Sequence, residues 1–384
     1  PMSEVSTDYV IVGAGIFGTS LAWTLARAGH SVIVLERREV ASGASGGPGH
    51  RGVRANNRDL RELPLAVRAL QIWPTLTELL GTDSGFERLG GLSLGELERV
   101  GGTHGRVTLA ARAAVQNAFG AHTEILDAAG VREKLPDVSD KVIYALYSPN
   151  DGIADHNVAT RAFAQAAVAL GTTLIEGANV QAVQSGADGG AQVTLTDGRV
   201  FAARRAVVLA ANTQVPKLLR EAFGLQLPVW SFNPQVAQLR VSRDLKLDYL
   251  INHSNRTLSI KRADADHITV TGGAVGRWDD ETETGNTDLS TLSASLTALT
   301  ATFPRTATDT EVTHLDASRA DSSAVDQIPI IDRVPGHDSV LYATGWSGHG
   351  FAIGPAVSEA VAEWLVSGQR PDVLAPFGVA RFRL

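Results

Sequence analysis

The sequence predicts a chain of two interleaved domains, one α/β around a parallel sheet and one α+β around a mixed or antiparallel sheet. Three observations predict it. The chain opens on a strand–glycine turn–helix–strand unit, a strand–glycine turn–helix unit lies near its end, and segments of period-two character fall between them. A length of 384 residues exceeds one ordinary core and accommodates two.

The opening unit is DYVIVGAGIFGTSLAWTLARAGHSVIVLERR, residues 8–38. Residues 9–12 form a short apolar run suited to a buried parallel strand. Leu21, Ala22, Leu25 and Ala26 follow at helical spacing, Gly29 ends the helix, and residues 31–35 form a second strand that stops at Glu36. Gly13, Gly15 and Gly18 fall at G-x-G-x-x-G spacing. Gly13 permits the tight turn, Gly15 lets a pyrophosphate approach the backbone, and Gly18 lets the helix pack closely on the strand. The helix N-terminus faces the phosphate charge, and Glu36 can accept two hydrogen bonds from a ribose diol. Set between strand and helix, with an acid about 20 residues on, the motif predicts a Rossmann-like dinucleotide site. It does not separate FAD from NAD, because both use it.

Residues 156–183 read as a helix, a glycine stop and two short strands, and residues 196–219 add an Asp-Gly hairpin turn and an apolar strand. Residues 339–365 read as a strand, a turn with glycine at 345, 348, 350 and 354, and a helix whose amides face a second anionic or electron-rich centre. VAQLRVSR (236–243), LSIKR (258–262) and HITVTGG (267–273) alternate as antiparallel strands do. Residues 285–303 predict an amphipathic helix with Leu289, Leu292, Leu296 and Leu299 on one face. The expected division is a discontinuous dinucleotide domain of residues 1–82, 151–224 and 316–384, with a substrate domain of residues 83–150 and 225–315 inserted into it.

Composition excludes several classes. Apolar content of 44% with 20% charged residues describes a soluble globular chain. Its longest apolar runs, such as AVVLAA (206–211), fall far short of a bilayer span. No basic-then-apolar signal pattern opens the chain, so a cytoplasmic location is expected. A net charge of −7 with no basic tract argues against nucleic acid as a partner. The absence of cysteine excludes disulfides, thiolate metal sites and a cysteinyl cofactor link. No H-x-x-x-H or H-E-x-x-H spacing occurs, and no metal is expected.

GAGIFG with Glu36, AVVLAAN (206–212), DQIPIIDRVPG (326–336) and ATGWSGHGFAIGPA (343–356) carry a resemblance. Over nearly its whole length the chain resembles the D-amino-acid oxidase-like flavoproteins, in their glycine oxidase and sarcosine oxidase branch. The Gly-x-x-Gly-His-Gly-Phe turn is the most specific piece. The resemblance implies a discontinuous, Rossmann-like FAD-binding domain of the GR2 type. It implies cofactor contacts at Gly13, Gly15, Ile16, Phe17, Gly18, Glu36, Arg37, Ser45, Arg51, Val180, Ala211 and Gly345, with Val180 meeting the adenine through its backbone. It also places Gly348, His349, Gly350, Phe351, Ala352 and Ile353 near the flavin pyrimidine ring, where backbone donors stabilise charge on the reduced ring. Members with a cysteinyl flavin carry that cysteine near the position of Arg319, so the FAD here is expected to be non-covalent. Asn212 stands where glycine usually follows the strand. TVTGG (269–273) lacks the oxygen-activating lysine of sarcosine oxidases and Ala352 replaces a substrate-binding one, which leaves the electron acceptor open between oxygen and a carrier.

The loop SGGPGHRGVR, residues 45–54, matches the family's Arg-x-x-Arg at Arg51 and Arg54. By that likeness Arg51 lies beside the isoalloxazine and Arg54 clamps a substrate carboxylate bidentately. Arg319 is a third candidate for the carboxylate, in equal balance with an ion pair to Asp316 or Asp321. His50 is placed to contact the flavin, and His349 to hydrogen-bond a neighbouring loop. Trp346, Tyr249 and His253 are pocket candidates that read equally as packing. The resulting expectation is oxidation of the C–N bond of a small amino acid, an N-substituted glycine of the sarcosine, glycine or iminodiacetate kind. Hydride passes to flavin N5 and the imine then hydrolyses. Three alternatives stay open: a D-amino-acid or 2-hydroxyacid dehydrogenase serving a quinone or carrier, the flavin subunit of a hetero-oligomeric opine-type oxidase, and a plain NAD-binding protein. The oligomeric state is left open.

Overall fold

Strand Val5–Val12 sends Tyr9 and Ile11 into the core on one face of its sheet, and Val10 and Val12 into the core on the other. Val32–Leu35 divides in the same way. Residues 9–12 and Val32–Leu35 are apolar without a break because a parallel sheet is covered on both faces. The computed structural model to which they belong describes residues 5–47, 49–97, 99–102 and 105–383. The parallel strands run in the order Thr173–Ile175, Val32–Leu35, Val5–Val12, Val200–Leu209, His337–Thr344. Val200–Leu209 is shared. Its first half pairs antiparallel with Ala191–Leu195, and its second half lies between Val5–Val12 and His337–Thr344. Helices Ile16–Arg27, His156–Ala169 and Gly350–Ser367 pack together on one face of this sheet. Gly29, at φ +86°, ends the first of them as the sequence predicts.

A second sheet of eight strands runs Glu311–Asp316, Val236–Arg240, His267–Thr271, Ser259–Arg262, Leu250–His253, Gly91–Gly95, Tyr144–Ser148, Glu124–Asp127. It is antiparallel except where Leu250–His253 meets Gly91–Gly95. On one face Leu92, Leu94, Leu239, Ile251, Ile260, Ile268 and Val270 form a core with Val131 and Leu299 of two covering helices. Each such buried side chain contributes roughly 1.5–3 kcal/mol, so this face holds the sheet together. The alternating residues Ser93, Asn252, Ser259, Lys261, Thr269 and Thr271 line a cavity on the opposite face.

Two smaller features matter for the site. His50–Val53 pairs with Gly152–Asp155, which pairs in turn with Phe86–Arg88, and this ribbon fixes the strand that bears Arg51 and leads directly into Arg54. The predicted leucine helix is Leu289–Thr302, capped by Asp288, whose Oδ1 accepts from Ser290 N at 2.8 Å. Its leucine stripe is buried only toward its C-terminal end: Leu299 is buried and Leu296 packs against the same core, beside Ser295 and Thr302, while Leu289 is 73% exposed. Among the described residues no helix is long and apolar enough to cross a membrane.

Candidate functional site

A cleft lies at the carboxyl ends of the parallel strands, where the sheet topology places ligands. Gly13 takes φ +110° and donates to Leu35 O at 2.8 Å; a Cβ there would stand 2.5 Å from Ala210 O. A Cβ on Gly18 would overlap the Gly13 carbonyl oxygen, so Gly18 serves close packing behind the cleft. Gly15 differs. A Cβ there meets no protein atom within 4 Å, because it points into open space at the N-terminus of Ile16–Arg27. That space is bordered by backbone amides and the positive end of a helix, the environment an anion requires. Glu36 is held at the turn by Ala14 N and Arg38 N, both at 2.9 Å. Its carboxylate oxygens keep further lone pairs for a diol.

The far wall of the cleft is tied together by Asp321 and Asn212. Asn212 takes the left-handed φ of +48° that glycine usually fills, and its Nδ2 donates to Asp321 Oδ1 at 2.9 Å. Asp321 also accepts from Ser322 N at 2.8 Å and Gly348 N at 2.6 Å, so one carboxylate joins the strand end to the glycine turn. Burial pushes its carboxyl above the usual range, and these donors oppose that. Beyond the turn, the first amides of helix Gly350–Ser367 have no carbonyl to serve within the helix, and Gly350 and Phe351 line the cleft.

A second cavity, of about 940 Å³, opens onto the first. Ser45, Arg51, Gly348 and Phe351 line both. Arg51 braces the glycine loop: its guanidinium donates to Ser45 O at 2.7 Å, to His50 O at 3.3 Å and to Gly47 O. Arg54 donates to Asn56 O and reaches no carboxylate within 4.0 Å among the described residues. Burial, with Arg58 and Arg112 nearby, pushes its guanidinium down to about 9, which leaves it charged at neutral pH. Asp151 lies behind it, accepting from Ala55 N at 3.0 Å, with burial pushing its carboxyl up to about 6. Lys261 is 6% exposed and donates to Thr271 Oγ1 at 3.1 Å and Ser259 Oγ at 3.4 Å. Burial, then the charges of Arg51 and Arg54, push its ammonium down to about 7. Arg54, Arg58, Arg112 and Lys261 thus line one cavity, none of them ion-paired among the described residues. Buried charge without a close counterion is costly, so this wall of the cavity favours an anion, with Glu62 and Asp151 opposing the charge of Arg58.

The sequence assigned more residues to the cofactor than the cleft contains. Gly13, Gly15, Ile16, Phe17, Glu36, Arg37, Ser45, Arg51, Val180, Ala211, Gly348, Gly350 and Phe351 line it. Gly345 and Ile353 do not: a Cβ on Gly345 would press on Ala324 at 3.0 Å, and Ile353 is buried in the core. His349 and Ala352 line the second cavity instead, as does His50. His349 makes local contacts, with Nε2 at 3.1 Å from Gln327 O and Nδ1 at 3.1 Å from Glu62 Oε1. Arg319, the third candidate for the carboxylate, faces elsewhere. The chain meets the cleft at Ala320 and Asp321, while Arg319 turns to the Ser42 loop, donating to Ser42 O at 3.2 Å. It lines neither cavity and pairs with neither Asp316 nor Asp321 among the described residues. Trp346 lines the cofactor cleft and His253 the second cavity. Tyr249 lines neither and packs edge-on against Tyr147, ring centroids 6.2 Å apart. Sequence reasoning missed Arg58, Arg112 and Lys261. The polar alternation of Ser259, Lys261, Thr269 and Thr271 was the signal available for the last.

Residues 8–364 match the DAO family of FAD dependent oxidoreductases. The chain belongs to this family. The open cradle at Gly15, the acid at Glu36 and the amides at Gly350 and Phe351 fit FAD, the cofactor of this oxidoreductase. The chain is similar to the sarcosine oxidase subunit beta of Arthrobacter sp., 26% identical over 394 residues that cover 100% of this chain and 92% of the relative. In fold it is similar to L-proline dehydrogenase from P. horikoshii, with TM-score 0.86, 23% identity and 99% of each chain covered. It is also similar in fold to glycine oxidase from Geobacillus kaustophilus, with TM-score 0.82, 23% identity and 98% and 99% of the two chains covered.

Proposed function

We propose that this oxidoreductase oxidises the C–N bond of a small amino acid, an N-substituted glycine of the sarcosine or iminodiacetate kind. The observation that carries the reading is the junction of the two cavities: a cation-lined chamber opens onto the cofactor cleft at Ser45, Arg51, Gly348 and Phe351. The names of the relatives support it, since sarcosine and proline are both secondary amines with an α-carboxylate and glycine is the parent acid. Bound FAD supplies the two-electron oxidation. Arg54 takes the substrate carboxylate in its planar fork and so points the α-carbon at the junction. Arg51 holds the glycine loop that forms the lip of the junction. The free amides of Gly350 and Phe351 put the positive end of a helix against the cofactor, favouring its negatively charged form. No side chain needs to act as a strong base, because an amine that enters neutral is oxidised once it is held in line. The cofactor domain in this reading comprises residues 1–82, 151–224 and 316–384, and residues 83–150 and 225–315 supply the roof of the chamber.

Anaerobic mixing with a panel of glycine derivatives and D-amino acids tests the reading, through bleaching of the flavin absorbance. Bleaching by dithionite but by no amino acid in the panel would sink it. Hydrogen peroxide formed under air, set against reduction of an artificial acceptor, decides between oxygen and a carrier. The likeness to a β subunit supports a second reading, a flavin subunit of a hetero-oligomeric oxidase. A purified chain that holds FAD and turns over no amine alone would favour it.

A further inference from the structure

We propose that Lys261, Ser259 and Thr271 form a second carboxylate subsite, and that the preferred substrate is an amino dicarboxylate spanning from Arg54 to Lys261. The proposal rests on the amino-acid reading above and names the part of the substrate that reading leaves open.

Four observations carry it. The ammonium of Lys261 is buried at the cavity wall with two hydroxyl partners, and the charged groups that bear on it, Arg51 and Arg54, are both positive. Two other cations of the same cavity have counterions, Arg256 with Glu96 at 2.9 Å and Arg61 with Asp59 at 2.9 Å and Asp326 at 3.0 Å, whereas Lys261, like Arg54, Arg58 and Arg112, has none among the described residues. The strand register sets Ser259 opposite Thr271 and Lys261 opposite Thr269, so one polar patch of donors faces the chamber. The space beside it is kept open by Gly52, which stands between Arg51 and Arg54 in sequence. A Cβ on Gly52 would lie 3.2 Å from Leu250 Cδ1 and 3.6 Å from Lys261 Cε.

The chemistry of the donors divides the work. Arg54 offers a planar fork for one carboxylate, while Arg51 is engaged by loop carbonyls. Lys261 offers a point charge, and the hydroxyls of Ser259 and Thr271 can turn their protons to the same anion. A monocarboxylate held at Arg54 leaves the buried ammonium with its two hydroxyl partners but without a counterion. A site that strands a buried polar group discriminates strongly against the ligand that does so.

The test uses the FAD-loaded enzyme and two inert sulfur analogues: thiodiacetate, with two carboxylates, and (methylthio)acetate, with one. Binding is read from perturbation of the flavin spectrum. Wild type is expected to prefer thiodiacetate by about tenfold or more. Lys261→Met is expected to bring the ratio near one, and Thr271→Val, which keeps a β-branched strand residue, to lower it severalfold. A wild type without preference would overturn the proposal, as would a preference that survives in both variants. An equal loss of affinity for both analogues in Lys261→Met would also overturn it, since Lys261 would then serve the cavity as a whole. If neither analogue binds wild type, or if thiodiacetate binds Arg54→Met unchanged, the amino-acid reading itself fails, a result distinct from a lost ratio.

Discussion

Lys261 should make the ligand-free enzyme less stable than a variant without its charge, by an amount that depends on pH. In the fold its ammonium is pushed from 10.5 to about 7. A basic group whose folded value is depressed binds its proton more weakly in the native state than in the unfolded chain. Its cost is therefore complete below about pH 7 and is relieved as pH rises toward 10.5, where the unfolded chain also gives up the proton. At about 1.4 kcal/mol per unit, the interval from 10.5 to about 7 sets an upper bound of roughly 5 kcal/mol at pH 6. Water in the adjoining chamber reduces that figure, and Lys261→Met forfeits hydrogen bonds to Thr271 and Ser259 worth about 1 kcal/mol each. The net expectation is a variant roughly 2 kcal/mol more stable than wild type at pH 6, with the gap closing and reversing by pH 10. Urea unfolding of both proteins at saturating FAD, repeated from pH 6 to pH 10, measures it. A difference that does not change over this range would refute the reasoning, and so would a wild type more stable at pH 6, because Lys261 would then have a counterion.

Other perturbations separate roles within the site. Arg54→Lys keeps a positive charge but loses the fork; apparent affinity for amino acids is expected to fall about tenfold or more, and an unchanged KM would exclude Arg54 as the carboxylate clamp. Gly15→Ala and Gly13→Ala should fail in different ways. Gly15→Ala has room and extended backbone geometry, so it should fold with near wild-type stability yet bind FAD more weakly, whereas Gly13→Ala meets Ala210 O and a positive φ and should lose stability by about 2 kcal/mol or more. Differential scanning with and without FAD distinguishes them, and equal behaviour would contradict the cradle geometry. Glu283 bonds Arg37 at 3.0 Å and also Gln214, two residues that line the cofactor cleft. As a half-exposed pair it should be worth under about 1 kcal/mol to the fold, so Glu283→Ala is expected to speed FAD release with little change in melting temperature; an unaltered release rate would count against a strap across the cleft.

The cofactor half of this protein was largely legible because its signals are local. Gly13, Gly15, Gly18 and Glu36 lie within one strand–turn–helix–strand unit, and their spacing alone sets the backbone path that makes the cradle. The alternation in LSIKR and HITVT likewise fixed which side chains share a face, since a strand has a strict period of two. What the other face meets is a different kind of fact. Nothing in Ser259 or Lys261 says whether that face sees solvent or a chamber, and the leucine helix shows the same ambiguity in reverse, with Leu289 on the outside. Arg54, Arg112 and Lys261 are separated by dozens to hundreds of residues, and only the packing of the second sheet over the His50–Val53 ribbon brings their charges together. Arg319 sits close in sequence to cleft residues and still turns away, because the direction of a loop side chain is set by its neighbours in space. The sequence by itself therefore determined the dinucleotide cradle and the strand faces, both consequences of short-range backbone geometry. The convergence of unpaired cations at the mouth of the cofactor cleft was decided by the tertiary structure alone, because burial and charge proximity are properties of segments distant in the chain.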